Sequence, residues 1–265
     1  MTTSRDDRDR SGGAAMDPDR ELPQALAAIA AYFDAEGRAC DYAALAASRE
    51  RGHLAVCLQA LEGFDPASVR IAGQTAFWIN VFNAAVLRDA PELALALEDA
   101  RPEVAAYFER PRLRIHGQAY SLDDIYHGVL RGNALAPGSL RAPMPRDDPR
   151  LAHVPIALDE RLHFALFRGA HSSPAFRVFG GGRLDVQLDE AATQYIQRTA
   201  QVEADGRVIA VPKLLQWYAV DFGGKSGVLE FVLQRLDEAS VERAERHLGH
   251  LKLRYVTFDW RLHRR

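Results

Sequence analysis

The chain has 265 residues, of which 48% are hydrophobic and 26% are charged, and its formal net charge at pH 7 is −3. These fractions are typical of a soluble globular protein, and the length suits one large domain. The balanced charge argues against a nucleic-acid-binding module, which would show a basic excess. The sequence contains no run of eighteen apolar residues, the length that would indicate a membrane span. We therefore expect a cytoplasmic protein that binds neither nucleic acid nor membrane.

The N-terminus differs in composition from the rest of the chain. Residues 1–20 mix charged residues with Ser, Gly and Pro, and this predicts a disordered tail, because such a segment buries too little apolar surface to offset its ordering entropy. Residues 21–265 are predicted to form a single domain. Cys40 and Cys57 are too few for a disulfide framework or a four-cysteine zinc site, and no metal-ligand spacing occurs. We expect no metal and no cofactor.

Helical patterns dominate the first hundred residues. Apolar residues recur at helical spacing from Leu22 up to Gly37, and Asp41 can cap a second helix that ends before Gly63. A third helix, over residues 74–88, is apolar almost all round, which predicts a position in the core. A fourth is predicted over residues 92–108.

Short strands mix with helices in the remainder. Residues 113–120 read as a hairpin, Ser121 and Asp124 form a capping-box-like start for a helix over residues 122–131, and residues 133–155 form a proline-rich loop. The elements predicted further along the chain are an apolar run of undecided type at 159–167, a helix capped by Asp185 and ending near residue 200, a hairpin around Asp205-Gly206, helices at 212–218, 226–236 and 241–248, and a closing strand within 251–262. The order predicts an α+β domain whose helix-rich N-terminal half packs on a small, mostly antiparallel sheet with further helices.

Two asparagines stand out in the third helix. Asn80 and Asn83 are three residues apart, so they share a helix face among residues that favour burial. A buried amide without partners costs about 1–3 kcal/mol, so polar groups must meet both side chains. They either tie the helix to the backbone of a neighbouring segment or orient a catalytic group or ligand.

A second candidate cluster lies further along the chain. His163 sits in an apolar run, and His171, Ser172 and Ser173 follow on a loop that Pro174 closes. An imidazole near exposed hydroxyls is what general-base activation of a nucleophile requires. Alternatively, Ser173 caps a turn and His163 is a hydrogen-bonded core histidine.

Five segments in this order resemble the domain of unknown function 547 family. The family pattern includes an aromatic-Trp-Ile-Asn-x-aromatic-Asn helix, a Gly-x-x-aromatic-Ser-Leu-x-x-Ile-x-His-x-x-Leu-Arg segment, Arg-x-His-Phe-Ala-Leu leading to Gly-x-x-Ser-Ser/Cys-Pro, Leu-Asp-x-Gln-Leu-x-x-Ala-Ala, and Pro-Lys-Leu-x-x-Trp-Tyr-x-x-Asp-Phe-Gly. These motifs match residues 77–83, 117–131, 161–174, 184–192 and 212–223. The resemblance covers roughly residues 70–235.

The resemblance implies no activity, because the family name records none. Many members have a cysteine just before the glycine of the Ser/Cys-Pro loop, where this chain has Arg168, and others have a cysteine where this chain has Ser173. Thiol chemistry through this loop is therefore not expected here. Residues 219–226 are also similar to a phosphate-binding loop, but the helical pattern before them makes a chance match the better interpretation.

Two function classes remain open. In the first, a pocket binds a small ligand or catalyses hydrolysis or acyl transfer. The candidate catalytic residues are then His163, Ser172 and Ser173, and the candidate binding or orienting residues are Asn80, Asn83, His127, Arg131, His171 and Arg177. His127 lies one helical turn from both Asp123 and Arg131, so these residues form either an oriented imidazole or a solvated face. In the second class, the domain is a non-catalytic module that binds a protein through residues 133–155.

Overall fold

The computed structural model describes residues 16–90, 101–155 and 158–265. Residues 1–15, which belong to the predicted tail, and part of the predicted 92–108 helix lie outside them. The first helix, Pro18–Ile29, begins within the stretch predicted as tail, and the Asp17 carboxylate caps it by accepting from the Asp19 N–H. Among the described residues, the α-helices are Pro18–Ile29, Tyr42–Ala46, Arg49–Ala60, Ile71–Arg88, Arg101–Glu109, Leu184–Thr199, Lys213–Trp217, Lys225–Leu233 and Glu238–Glu245. The strands are β1 Pro111–Ile115, β2 Gln118–Ser121, β3 Gln201–Val202, β4 Val208–Pro212 and β5 Lys252–Val256.

The second predicted helix is divided into two. Asp41 caps Tyr42–Ala46, as expected, but the chain then leaves the helix and starts again at Arg49–Ala60. Ser48 causes the restart, because its backbone is extended and its Oγ accepts a hydrogen bond from the Arg51 N–H at 3.1 Å. The single helix predicted from periodicity alone was wrong at this point.

The Ile71–Arg88 helix is the centre of the core, as predicted. It starts three residues earlier than the sequence pattern indicated, and every residue from Ala76 to Leu87 is buried. Helices Pro18–Ile29 and Arg49–Ala60 pack against it on one side. A helix enclosed in this way must satisfy its buried polar side chains within the protein.

The predicted 113–120 hairpin is present as β1 and β2, which pair antiparallel. The capping box that follows is also present: the Ser121 Oγ accepts from the Asp124 N–H, and an Asp124 carboxylate oxygen accepts from the Ser121 N–H, both at 2.9 Å. The helix it opens is a π-helix, Asp124–Leu130. Such helices are rare and frequently occur at functional sites.

The C-terminal half is built around a three-stranded sheet. β3 pairs antiparallel with β4 through the predicted Asp205-Gly206 turn, and β4 pairs parallel with β5. The apolar run at 159–167 contains a short 3₁₀-helix, Glu160–Phe164. Asp185 does not cap the next helix, because the helix begins at Leu184 and places Asp185 in its first turn. The architecture confirms an α+β domain.

The remaining helices follow the predicted order with shifted ends. Lys213–Trp217 stands where residues 212–218 were predicted, Lys225–Leu233 begins one residue before the predicted 226–236 and ends three residues earlier, and Glu238–Glu245 lies three residues before the predicted 241–248. Among the described residues, none of the helices combines the length and the apolarity needed to cross a membrane.

Candidate functional site

Asn80 and Asn83 tie the central helix to two irregular segments. The Asn80 amide donates to the Phe179 carbonyl at 2.7 Å and accepts from the Phe179 N–H at 3.0 Å. The Asn83 amide donates to the Ala165 carbonyl at 3.0 Å and accepts from the Phe167 N–H at 2.9 Å. Each amide therefore bonds to the backbone of a segment that belongs to no sheet, as a neighbouring strand would. This is the structural interpretation given above, in which the asparagines tie the helix to the backbone of neighbouring segments.

His163 is wholly buried, and both of its ring nitrogens are engaged. Nε2 lies 2.9 Å from a carboxylate oxygen of Asp221, and Nδ1 lies 2.6 Å from the Tyr126 hydroxyl. Because a carboxylate can only accept, Nε2 carries the proton and Nδ1 accepts from the phenol. Burial lowers the pKa of His163 to about 4, which outweighs the opposing effect of Asp221, so the imidazole is neutral at pH 7.

Arg131 connects this histidine to a second one. Its guanidinium binds Asp221 in a bidentate manner, with Nε 2.6 Å from Oδ2 and Nη2 2.9 Å from Oδ1. Its Nη1 donates to Nδ1 of His127 at 3.0 Å and to the Leu135 carbonyl at 2.9 Å. Burial would raise the pKa of Asp221, but the hydrogen bonds from His163 and Arg131 hold it at about 2.

Above this network lies an open cleft of about 880 Å³. The π-helix contributes Tyr126 and His127 to its wall, and residues 136–139 of the proline-rich loop form another side. Aromatic side chains of Trp217, Phe258 and Trp260, whose ring centroids lie 4.4–6.1 Å apart, form an apolar side. The charged lining groups are Glu109, Asp123, Asp124, Arg141, Arg168 and Lys213.

Arg168 is the least compensated of these charged groups. Its residue is only 4% exposed, its Nη1 donates to the Leu166 carbonyl at 3.0 Å, and its guanidinium carbon lies 5.1 Å from the centre of the Tyr126 ring. Among the described residues, its Nη2 has no hydrogen-bond partner and no carboxylate forms an ion pair with it. A buried guanidinium in that state is costly unless an anion joins it.

Asp123 and His127 face the same cleft. Burial raises the pKa of the Asp123 carboxyl to about 6, the charge of Glu109 acts in the same direction, and the charge of Arg168 acts against them. Burial and the charges of Arg131 and Arg168 lower the pKa of His127 to about 3, so this imidazole is neutral. Since its Nδ1 accepts from Arg131, its Nε2 carries the proton, 3.7 Å from an Asp123 oxygen.

The serines predicted beside His163 bond elsewhere. Ser172 Oγ accepts from the Asp259 N–H at 2.9 Å. Ser173 is buried, and its Oγ accepts from the Arg168 N–H at 2.8 Å and donates to the Pro174 carbonyl at 2.9 Å. Both hydroxyls therefore fix the loop backbone, and neither is the partner of the imidazole.

The other two predicted binding residues lie away from the cleft around Arg168. His171 stacks on His263, with ring centroids 4.0 Å apart, and Arg177 bonds to Gln194 and lies near Glu190 on another face. The structure thus brings together His163, Arg131 and His127 from the predicted set, and it adds Tyr126, Asp221, Asp123 and Arg168. Asp221 and Lys213 lie in the last of the five family-like motifs, residues 212–223, and this motif was the feature of the sequence that could have identified them as site residues.

Both cysteines are buried and free. Burial raises the pKa of the Cys40 thiol to about 12 and also raises that of Cys57. A thiol held protonated is a weak nucleophile and a weak metal ligand. Within residues 16–90, 101–155 and 158–265, there is no group of three or more His, Cys, Asp or Glu side chains placed to hold a metal ion.

Comparison with known proteins identifies one family. Residues 66–196 match the family described as a protein of unknown function, DUF547, which confirms the resemblance over just under half of the chain. The matched segment includes the Asn80 helix, the π-helix, His163 and Arg168, and it ends before Lys213 and Asp221. No curated protein and no solved structure matches the chain.

Proposed function

Starting from this resemblance to DUF547, we propose that the cleft around Arg168 is the active site of a hydrolase that acts on small carboxylic esters. The observation that carries the proposal is the pairing, in one cleft, of a buried guanidinium that has an unpartnered nitrogen with a carboxyl group whose pKa lies near 6. Strongly perturbed groups that line a cleft are candidates for catalysis.

Arg168 supplies the electrostatic part of the reaction. When water attacks an ester carbonyl, negative charge develops on the carbonyl oxygen, and a fixed cation beside it stabilises that charge. Because the Nη1 bond to Leu166 and the contact with the Tyr126 ring hold the guanidinium, it does not need to reorganise during the reaction. The carboxylate product carries the same charge, so it should bind at the same group.

Asp123 supplies the acid–base part. At pH 7 a carboxyl with a pKa of about 6 is mostly ionised, so it can take a proton from the attacking water and later give it to the leaving alkoxide. The new C–O bond forms to the water oxygen, and the bond to the leaving oxygen breaks when the tetrahedral intermediate collapses. The His127 Nε2 lies 3.7 Å from an Asp123 oxygen, too far for a direct hydrogen bond, so its N–H acts on that carboxylate only as a nearby dipole.

The buried network fixes the geometry of the cleft. Asp221, Arg131 and His163 hold Tyr126 and His127 in place through the five hydrogen bonds described above. None of these three residues contributes to the cleft lining, so we assign them positioning roles. The aromatic side formed by Trp217, Phe258 and Trp260 favours a substrate with a flat apolar group.

The test is steady-state hydrolysis of p-nitrophenyl phenylacetate, whose acid part combines a ring with the ester. Asp123→Asn is expected to lower kcat by about a hundredfold or more, and Arg168→Met by a similar factor. Asp185→Asn, which changes an exposed carboxylate outside the cleft, is the matched control and should leave kcat unchanged. Wild-type turnover no faster than buffer, or full activity in Asp123→Asn, would overturn the reaction class.

A second candidate function is the non-catalytic module that docks a protein through residues 133–155. The observation that favours it is Leu140, which is 95% exposed on this loop. Under this alternative, Leu140 is the contact that a second copy of the chain would cover. Sedimentation of the wild type and of Leu140→Ser tests it: a dimer that the substitution dissociates supports docking, and a monomer at all concentrations contradicts it.

A further inference from the structure

A second cleft, of about 990 Å³, shares no lining residue with the first. It lies between residues 33–38, residues 175–178 and the last turns of the Leu184–Thr199 helix. Three arginines from these three segments, Arg38, Arg177 and Arg198, line it. None of them takes part in the hydrolase proposed above.

Arg38 and Arg198 line this cleft from two different segments of the chain. Burial lowers the pKa of Arg198, and the charge of Arg38 acts in the same direction, while Tyr195 and the charge of Asp34 act against them. Arg198 is fixed by its Nη2, which donates to the Ser173 carbonyl at 3.1 Å, and by the Tyr195 ring, whose centre lies 5.3 Å from its guanidinium carbon. A guanidinium fixed in this way, in a cleft that two other arginines also line, can bind the oxygens of an anion.

Arg38 retains unused hydrogen-bonding capacity. Its Nε is buried and has no hydrogen-bond partner among the described residues, and its nearest acidic contact, to Glu36, is long at 3.6 Å. The other lining carboxylate, Asp34, accepts the backbone N–H of Arg38 at 2.6 Å. Asp34 therefore positions Arg38 through its backbone, and its charge compensates part of that of Arg198, because it acts against the burial that lowers the pKa of Arg198.

The segment that carries Arg38 is held firmly. Gly37 has a φ of +70°, its carbonyl accepts from the Phe176 N–H at 2.7 Å, and a Cβ on it would lie 2.5 Å from the Phe176 carbonyl oxygen. Only glycine permits this approach without displacing the backbone. The site is thus organised before any ligand arrives, which reduces the entropic cost of binding.

From these contacts we propose that the second cleft binds the phosphate group of a small molecule. A phosphate presents several acceptor oxygens, which suits guanidiniums arriving from three segments, whereas a single carboxylate presents two. Phe33, Phe164 and Phe176 also line the cleft, so it has room and apolar surface for an organic group beside the phosphate.

The test is isothermal titration calorimetry at constant ionic strength with inorganic phosphate and with phenyl phosphate. The wild type should bind, and Arg38→Gln/Arg198→Gln should bind at least tenfold more weakly. Arg49→Gln changes an exposed arginine outside both clefts and should bind like the wild type. Circular dichroism tests whether each variant is folded. If the double variant is unfolded, Arg38→Gln alone, which keeps the hydrogen bond from Arg198 to Ser173, gives the second measurement of phosphate affinity.

Two further comparisons distinguish an organic phosphate ligand from the free ion, and binding in the second cleft from binding in the first. Tighter binding of phenyl phosphate than of inorganic phosphate supports an organic phosphate ligand, and equal affinities support the free ion. Arg168→Met, which removes the anion-binding group of the first cleft, should leave the binding that depends on Arg38 and Arg198 unchanged. Absence of binding by the wild type, equal binding by the folded Arg38 variants, or loss of binding in Arg168→Met would overturn the proposal.

Discussion

Replacing Arg168 by methionine should stabilise the protein in the absence of ligand while it abolishes ligand binding. Arg168 is 4% exposed, its Nη2 has no hydrogen-bond partner, and no carboxylate forms an ion pair with it within the described part of the chain. Methionine has a similar length and flexibility and carries no charge, so it can fill much of the same space.

The magnitude follows from two opposing effects. Removing the unpaired, buried donor and its charge relieves about 2–4 kcal/mol, since replacing buried ionic groups by apolar residues is often stabilising by 1–4 kcal/mol. Losing the Nη1 bond leaves the Leu166 carbonyl without that donor and costs about 1–2 kcal/mol. We expect the free energy of unfolding to rise by about 1–2 kcal/mol.

Urea denaturation monitored by tryptophan fluorescence measures this change, and a gain of that size moves the midpoint upward by about 0.5 M. In parallel, calorimetry with phenylacetate, the product of the test reaction, should show binding by the wild type and none by Arg168→Met. A variant that is less stable than the wild type by more than about 1 kcal/mol would show that the guanidinium has a structural partner. The argument for an anion site would then fail.

The remaining predictions concern the buried groups around the cleft. Asn83→Ala should lower the free energy of unfolding by about 2–4 kcal/mol, because it leaves the Ala165 carbonyl and the Phe167 N–H without these partners. A loss below about 1 kcal/mol in urea denaturation would contradict a stabilising role for these two hydrogen bonds. The pKa of His163 in the folded protein lies below its usual value, so its contribution to stability is present above pH 6.5 and is lost as pH falls toward 4. Thermal melting of the wild type and of His163→Gln between pH 4 and 6.5 measures this loss, which the variant should not show. If Asp123 is the base, kcat/KM should rise through about pH 6; a profile flat from pH 5 to 8 would exclude it. Cys40 should react with iodoacetamide at pH 8 only on unfolding, and rapid labelling of the native protein would contradict its burial.

Much of the fold could be predicted because its local signals agree with its packing. The uninterrupted apolar surface of the Ile71–Arg88 helix, the Ser121–Asp124 capping box and the Asp205-Gly206 turn each stand where the sequence placed them. The break at Ser48 was not predicted, because a serine within a helical pattern can be either an interior residue or a cap. The parallel pairing of β4 with β5 depends on a contact between distant segments, which periodicity does not record.

The site was predictable only in its residue types. The sequence singled out His163, but its partners, Tyr126 and Asp221, lie 37 and 58 residues away. The hydroxyls closest to His163 along the chain, at Ser172 and Ser173, stabilise backbone. A hydrogen-bonded pair formed by tertiary contact leaves no spacing in the sequence, so only geometry identifies it.

The π-helix Asp124–Leu130 has a consequence for how this cleft can change in evolution. Such a turn usually differs from an ordinary α-turn by one inserted residue, and each residue of an α-helix is rotated by about 100° from the last. Deleting a single residue here would therefore turn Tyr126 or His127 away from its partner while the capping box at Ser121 persists. A one-codon deletion would thus rearrange the wall of the cleft in a relative whose fold is otherwise intact, and the length of this turn is the feature by which relatives with and without this cleft would be told apart.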